Sequence, residues 1–216
     1  MSARRTPLTA QRVFATAVAI ADAEGITAVT MRRVASELDV EAMSLYHHVA
    51  NKDALLDGMV DAVFAEIELP HARGKWVNAM TRRAESQRAT LLRHRWAVGL
   101  LESRTSPGPA LLRHHDAFIG RCRSAGFSVE MTAHAFAALD CYVFGFVLQE
   151  VNLPIDADTD YGAAATEILP DDLADSFPHF AEFVAEVVAR PGYSFGREFG
   201  YGLSLLLRAL EEEALR

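Results

Sequence analysis

Residues 30–49 read TMRRVASELDVEAMSLYHHV, and this stretch decides the fold of the N-terminal region. It contains two short helical patterns joined by three or four residues, and the first begins at Thr30, a residue type that caps helices. Two such helices can cross steeply only where their inner contacts are small and apolar, as Ala35 is. Leu45 and Val49 share the inner face of the second pattern. The spacing therefore predicts a helix-turn-helix, with the motif at about residues 31–50.

The second half of this motif turns an uncharged surface outward. A solvated helix usually exposes charged residues, whereas Met and Tyr can contact base edges and sugars in the major groove of DNA. Spacing alone leaves a second interpretation open, a small helical hairpin with an ordinary surface. The outward residues are Ala42, Met43, Ser44, Tyr46 and His47.

Helical periodicity extends on both sides of the motif. One helix is predicted between Thr9 and Gly25, and another over 52–69, capped by Asn51 and ended by Pro70. No stretch shows the period-2 alternation of a strand. We therefore expect an all-α protein, a three-helix head with a helix-turn-helix joined to a larger helical domain. The helices predicted for that domain cover 75–93, 96–103, 107–125, 128–152, 178–189 and 195–215.

An acidic stretch separates the last two helices from the rest. Residues 154–177 carry seven acidic side chains and no basic one. Such a composition buries little apolar surface, so the stretch is predicted to be a loop.

Composition favours a soluble cytoplasmic protein. Half of the 216 residues are apolar, enough to bury a sizeable core. Cys122 and Cys141 lack the CxxC spacing of redox and zinc sites, which indicates a reducing compartment. We expect no transmembrane helix, because no run of about 18 apolar residues occurs, and no signal peptide, because residues 1–12 contain arginines but no apolar segment.

Charge is distributed unevenly along the chain. The net charge is −8, and the first 55 residues contribute none of it because their basic and acidic side chains balance. A neutral head on an acidic body suits a protein whose head alone meets a polyanion.

Sequence motifs of catalysis are missing. There is no HExxH, P-loop or GxSxG motif, and no pair of Glu-x-x-His motifs for a di-iron bundle. His47 and His48 diverge on a helix and make a poor metal site. The sequence therefore favours a non-enzyme without cofactor or metal.

Residues 8–69 as a whole resemble the DNA-binding head of the TetR family of bacterial regulators. SLYHHVANKDALL at 44–56 is similar to the family's LYxHFxNKxxLL run, and MRRVASELDV at 31–40 is similar to its second helix and turn. Asp39 departs from the family, which usually has Gly in this left-handed turn. Ala50 stands where many members have a basic or polar residue.

The resemblance implies a DNA interface in which some residues read bases and others hold the phosphate backbone. Arg32 is implied to bind a guanine with two hydrogen bonds, and His47 to be the variable base reader. Arg33 either contacts phosphate or is only solvated. Ala42 and Met43 offer apolar contact to thymine methyl groups. The residues implied to hold the backbone are Ser44, Tyr46, His48 and Lys52.

The body is taken as residues 75–216, and its residues 75–152 together with a segment near the end resemble the C-terminal domain of the tetracycline-repressor branch. The likeness lies in LLRHRWAVGLL at 91–101, in 122–150, and in FGREFGYGLSLLLRAL at 195–210. It implies a small-molecule pocket among the middle helices and a homodimer. Helices 128–152 and 195–215 would pack against their copies in a four-helix bundle, where glycines allow close approach.

Candidate pocket residues follow from helical spacing. Phe136, Asp140 and Phe144 lie at i, i+4 and i+8 and share one face. Asp140 either reaches the rim or pairs with an arginine, or it orients a polar or cationic group of a ligand. The candidate walls on neighbouring helices, each of which could instead be plain core, are Trp96, Leu100, Leu101 and Phe118.

The resemblance also bears on the ligand. In tetracycline-binding members a histidine and a glutamate help to hold the magnesium-chelated drug, and the corresponding positions here are Leu101 and Gln149. Leucine cannot ligate magnesium, and a neutral amide lacks the charge that steadies the hydrated ion. We therefore expect an apolar or aromatic effector that binds without metal and is not tetracycline.

Overall fold

The computed structural model describes residues 7–101, 106–153, 161–170 and 172–214, and in these ranges the chain is helical without a strand. The all-α prediction is confirmed. The helices are α1 (Ala10–Glu24), α2 (Met31–Glu37), α3 (Ala42–Leu45), α4 (Lys52–Phe64), α5 (Trp76–Arg93), α6 (Arg95–Leu101), α7 (Pro109–Ser124), α8 (Val129–Val151), α9 (Tyr161–Ile168), α10 (Leu173–Ser176), α11 (Pro178–Phe183) and α12 (Phe195–Ala214).

Three predicted caps begin the helices of the head. The Thr9 hydroxyl accepts a hydrogen bond from the Arg12 backbone N–H at 3.2 Å, and Thr30 accepts one from Arg33 at 3.0 Å. The Asn51 side chain accepts one from the backbone of Ala54 at 2.8 Å. Each cap satisfies a backbone donor that the first turn leaves without a helical partner. These short helices therefore begin where the local sequence directs.

Helix α4 ends about one turn earlier than predicted, at Phe64 instead of residue 69. Ile67 is buried although it lies outside the helix, so the apolar pattern continues past the helical backbone. The chain then runs along α5, where the Glu68 backbone N–H donates to the Ser86 hydroxyl at 2.8 Å. The side-chain pattern records burial and cannot by itself locate the change of backbone conformation.

The body packs α5, α7, α8 and α12 around one apolar core. Phe118, Leu139, Val143 and Leu207 are at most 1% exposed at its centre. The predicted bounds of these helices hold to within two residues at each described end. Residues 102 and 103 of the predicted helix 96–103, and residue 215 of the predicted helix 195–215, lie outside the described residues.

The loop prediction for 154–177 is wrong for part of its length. Helix α9 forms over Tyr161–Ile168, and α10 over Leu173–Ser176. The alanines of α9 favour helix, Ala164 is buried, and Tyr161 packs edge-on against Tyr193. Residues 154–160 and 171 of this stretch lie outside the described part of the chain.

The predicted helix 178–189 is also modified. It begins as α11 and continues as a π-helix over Val184–Val188. The apolar pattern did not indicate this change, because a single wide turn leaves the overall spacing almost intact.

Helix α8 is the one described helix whose length and composition would allow it to cross a membrane. Val129–Val151 is long and apolar enough by length and composition alone. A search for one unbroken apolar run missed it, because His134 and Asp140 interrupt the run. One face of α8 is buried against α5, α7 and α12 through residues such as Leu139 and Val143. Core helices pass the same test, so this is weak evidence for a membrane.

Asp39 has the left-handed backbone anticipated for the turn between α2 and α3, with φ of 53°. A side chain at such φ costs about 1 kcal/mol, which glycine avoids. We expect Asp39→Gly to raise the free energy of unfolding by roughly 0.5–1 kcal/mol. Chemical denaturation of both proteins at one concentration measures the change. A less stable variant would show that the Asp39 side chain contributes more than the turn conformation costs.

Candidate DNA interface and ligand cavity

Helix α3 and the four residues after it have one side buried in the head and the other side exposed. Leu45 and Val49 are buried in the head core, at 0% and 4% exposure. On the other side Met43 is 73% exposed and Tyr46 45% exposed. His47 and His48 are exposed as well, while Ala42 and Ser44 are half-buried. The structure thus brings the outward residues together on one uncharged, partly apolar face.

The two adjacent arginines of α2 differ in their surroundings. Arg33 donates to Glu37 at 2.6 Å and to Glu24 at 2.8 Å, and the hydrogen bond to Glu37 raises its pKa above the ordinary value. Arg32 is exposed and makes no ion pair with the described residues. Lys52, at the start of α4, is likewise exposed and outside any such pair. Arg32 and Lys52 can therefore meet an external anion, whereas Arg33 already holds α2 to α1.

The head meets the body at a buried histidine. His94 Nδ1 lies 2.8 Å from Asp22 Oδ1 of α1, and its Nε2 lies 3.2 Å from Glu66 Oε2. The Trp96 indole N–H donates to the same Asp22 oxygen at 2.7 Å. The start of α6 is therefore tied to the head by hydrogen bonds.

A cavity of about 450 Å³ opens among α4, α5, α6, α7 and α8. This volume suits a drug-sized ligand, and the walls are mostly apolar with a few polar groups. The candidates Leu101, Asp140 and Phe144 line it. The other lining residues are Asp57, Val60, Asp61, Phe64, Arg83, Val98, Gly99, Ser106, Pro107, Gly108, Leu111, His115, Cys141, Gly145 and Leu148.

Five candidate pocket residues lie elsewhere. Phe118 is fully buried in the body core, where its ring meets that of Phe136 edge-on at 5.2 Å. Trp96 belongs to the head–body junction, and Leu100 packs toward the head core. Gln149 is on the exposed side of α8. Helical spacing correctly places Phe136, Asp140 and Phe144 on one face of α8. Tertiary packing then directs Phe136 to the core and the other two to the cavity.

Asp140 forms an ion pair with an arginine, as one of its two interpretations predicts, and its role toward a ligand stays a prediction. Its Oδ1 lies 3.3 Å from Arg83 Nη2 in an ion pair, and the same carboxylate lines the cavity. The Arg83 guanidinium also lies over the Phe118 ring, 5.1 Å from its centroid. The charge of Asp140 is thus balanced within the subunit.

Sequence reasoning missed the contribution of α4 to the cavity. Asp57 and Asp61 are one turn apart, beside Val60 and Phe64, and all four line the wall. Two carboxylates at i and i+4 next to an apolar stripe were the signal that could have found this wall.

Two histidines of α7 are held neutral. Burial lowers the pKa of His114 and that of its neighbour His115. For His115, the charge of Asp140 raises the pKa and that of Arg83 lowers it, and the net shift is downward. The folded protein therefore binds these protons less readily than the unfolded chain. Above the ordinary histidine pKa of about 6.5, these two histidines do not reduce the free energy of unfolding. As the pH falls below that value, the unfolded chain takes up protons that the folded protein does not, and the free energy of unfolding decreases.

We expect the free energy of unfolding to fall between pH 7 and pH 5.5, and His114→Gln to flatten that dependence. Urea denaturation at the two pH values measures it, with the exposed His179→Gln as control. An equal slope in His114→Gln and in the unmodified protein would contradict the assignment.

Comparison with known proteins finds two family models that cover most of the chain. Residues 13–59 match the model of bacterial regulatory proteins of the tetR family. Residues 69–214 match the tetracyclin repressor-like C-terminal domain.

Individual relatives agree with these matches. The HTH-type transcriptional repressor DrrR1 of Streptomyces coeruleorubidus is 33% identical over 213 residues, 94% of this chain and 77% of that protein. An HTH-type transcriptional regulator of Saccharopolyspora erythraea is 35% identical over 144 residues, 66% of this chain and 61% of the length of that relative.

A solved structure shows the same fold. The TetR family protein ActR of Streptomyces coelicolor, in complex with actinorhodin, is 31% identical with a TM-score of 0.76, over 97% of this chain and 99% of that chain. The helical head, the larger helical body and both family models agree. The chain therefore belongs to the TetR family of bacterial transcriptional regulators.

Proposed function

We propose that this regulator is a homodimeric repressor that binds a palindromic operator through two heads and leaves it when a small molecule occupies the cavity. The observation that carries the proposal is the open face of α3, with Met43 and Tyr46 exposed above a buried Leu45. A protein that never met a partner there would expose apolar surface without compensation.

The DNA contacts divide by chemistry. Base reading is assigned to Arg32, Ala42, Met43 and His47, and backbone contacts to Ser44, Tyr46, His48 and Lys52. Arg33 is left out of the base-reading set because Glu24 and Glu37 occupy its guanidinium. The head is taken as residues 8–69 and the body as 75–216.

The dimer is proposed to form through α8 and α12. Both helices expose large apolar side chains, Leu148 on the first, and Tyr201 and Leu205 on the second. Gly200 has open space beside it, which a second subunit can enter. Gly202, by contrast, is required by a contact within its own subunit, because a Cβ at this position would lie 2.5 Å from the Tyr142 hydroxyl.

The effector is proposed to be an apolar or aromatic molecule that binds in the cavity without metal. The solved ActR complex with actinorhodin supports a small-molecule effector. Leu101 lines the cavity and Gln149 lies outside it, so neither supplies a magnesium ligand or its support there. Tetracycline is therefore not the expected effector.

Two helices connect the cavity to the head. Helix α4 starts with Lys52 at the proposed DNA surface and reaches the cavity at Asp57–Phe64. Helix α6 is bound to Asp22 of α1 through Trp96 and reaches the cavity at Val98. A ligand that shifts either helix changes the spacing of the two heads, and a few kcal/mol of differential affinity suffices to switch occupancy.

A gel shift with fragments of the source genome tests DNA binding. A regulator retards a subset of fragments, and unlabelled copies of the same fragments compete. A ligand carrier with an inactive head would retard none. We propose further that the protein acts in the cytoplasm, where such DNA lies, and does so without catalysis.

A further inference from the structure

One carboxylate of the cavity wall caps a neighbouring helix. Asp61 of α4 accepts hydrogen bonds at its Oδ1 from the backbone N–H groups of Ala110 at 2.8 Å and Leu111 at 3.0 Å. These groups belong to the first turn of α7, where a negative charge is favoured. Asp61 Oδ2 accepts no hydrogen bond from the described residues. The cap therefore joins α4 to α7, and the residue that forms it also lines the cavity.

Gly108 makes room for this cap. A Cβ built on Gly108 would lie 2.2 Å from Asp61 Cγ and 2.3 Å from Oδ1. The φ of Gly108 is −78°, a value open to any residue, so glycine is needed for space and not for conformation. The position of the Asp61 carboxylate is thus built into the packing of α4 against the start of α7.

The described lining carries an excess of negative charge. Asp57, Asp61 and Asp140 are the carboxylates of the described lining, and Arg83 is its guanidinium. Asp140 binds Arg83, and no cation among the described lining residues forms an ion pair with Asp61. His115 is neutral near pH 7, because burial lowers its pKa. Residues 102–105 lie outside the described part and contain one acidic and one basic residue by sequence.

Aromatic rings accompany these acids. Phe64 of α4 and Phe144 of α8 both line the wall. Ring faces attract organic cations and stack on flat apolar bodies. A wall of carboxylates and phenyl rings around about 450 Å³ therefore matches a flat aromatic cation better than an anion of the same shape.

We propose that the effector is an aromatic organic cation and that Asp61 is the residue that senses it. The inference rests on the proposed function of the cavity as effector site. A positively charged N–H group of the ligand binds Asp61 and competes with the α7 N–H groups for the carboxylate. Weakening of this cap loosens α4 from α7, and the same helix carries Lys52 at the DNA surface.

The ligand class is tested with two xanthene dyes of similar shape and opposite charge, cationic rhodamine 123 and anionic fluorescein. Fluorescence anisotropy of each dye with the full-length protein, without DNA, gives the dissociation constants. We expect the cation to bind at least about tenfold more tightly, the effect of roughly one charged hydrogen bond. Equal or tighter binding of fluorescein, or binding of neither dye, would overturn the proposal.

Variants assign the preference to Asp61. Asp61→Asn keeps an oxygen that can cap α7 but removes the charge, so rhodamine 123 should bind about tenfold more weakly. Asp116→Asn removes the same charge from an exposed position on α7, outside the described cavity wall, and should bind the dye like the unmodified protein. An unchanged affinity in Asp61→Asn would contradict the role of Asp61.

Gly108→Ala tests the coupling without any ligand. The new methyl group displaces the Asp61 carboxylate from α7 without removing its charge, so operator affinity should fall about tenfold, as if effector were bound. Gly120→Ala, on α7 with open space around it, is the matched control. Equal operator affinity of Gly108→Ala and the unmodified protein would refute the coupling. Failure of the unmodified protein to bind an operator would instead refute the proposed function, which the dye measurements do not use.

Discussion

Leu205→Arg is expected to convert the protein from dimer to monomer and to weaken operator binding by about a hundredfold or more. Leu205 is 45% exposed on α12, so a single subunit tolerates an arginine at this position. A dimer interface would bury the charge of that arginine without a partner, which is strongly unfavourable. Two linked heads reach the second half-site at an effective concentration far above that of free protein, and a monomer loses this advantage.

Light scattering at micromolar concentration and operator titration measure the two effects. Ile119→Arg, an equally exposed apolar residue on α7, is the matched control and should remain dimeric. Leu206 would be a poorer choice, because it packs partly inside its own subunit. A monomeric unmodified protein would contradict the dimer and the palindromic operator together.

Arg32→Ala is expected to weaken specific operator binding by about 1–3 kcal/mol and to relax specificity at one base pair. The reason is that the exposed Arg32 guanidinium makes no ion pair with the described residues and lies on the outer face of α2. Tyr46→Ala should cost a similar amount, because Tyr46 is 45% exposed on the open face of α3. Titration of operator and scrambled duplexes at several salt concentrations separates specific from general binding.

Two neighbouring residues serve as controls for Arg32. Arg33→Ala removes the same charge, but its guanidinium is held by Glu24 and Glu37, so it should affect stability more than base specificity. Lys52→Ala should weaken all sequences alike and reduce the salt dependence. If Arg32→Ala and Arg33→Ala changed specificity equally, the distinction between the two arginines would be wrong.

Much of the head could be predicted because its signals are local. Thr9, Thr30 and Asn51 cap helices within three residues of their own positions, and Asp39 adopts the left-handed turn that its place between two short helices requires. The exposed face of α3 follows from the burial of Leu45 and Val49, which lie four residues apart on the opposite side. Such features need no knowledge of distant contacts.

The cavity could be predicted only in part, because tertiary packing decides which apolar residues face it. Phe136 and Phe144 share a face of α8, yet the first meets Phe118 in the core and the second lines the cavity. Asp61 acquires its role from Ala110, nearly fifty residues away in sequence. Helical spacing carries no information about such pairs.

The most direct test is selection of bound fragments from the source genome by the full-length protein, followed by sequencing and footprinting. We predict one enriched palindromic sequence with two protected half-sites, which are separated by a whole number of helical turns and are lost in Arg32→Ala. Recovery of fragments without a shared sequence, or of a shared sequence bound equally well by Arg32→Ala, would contradict it.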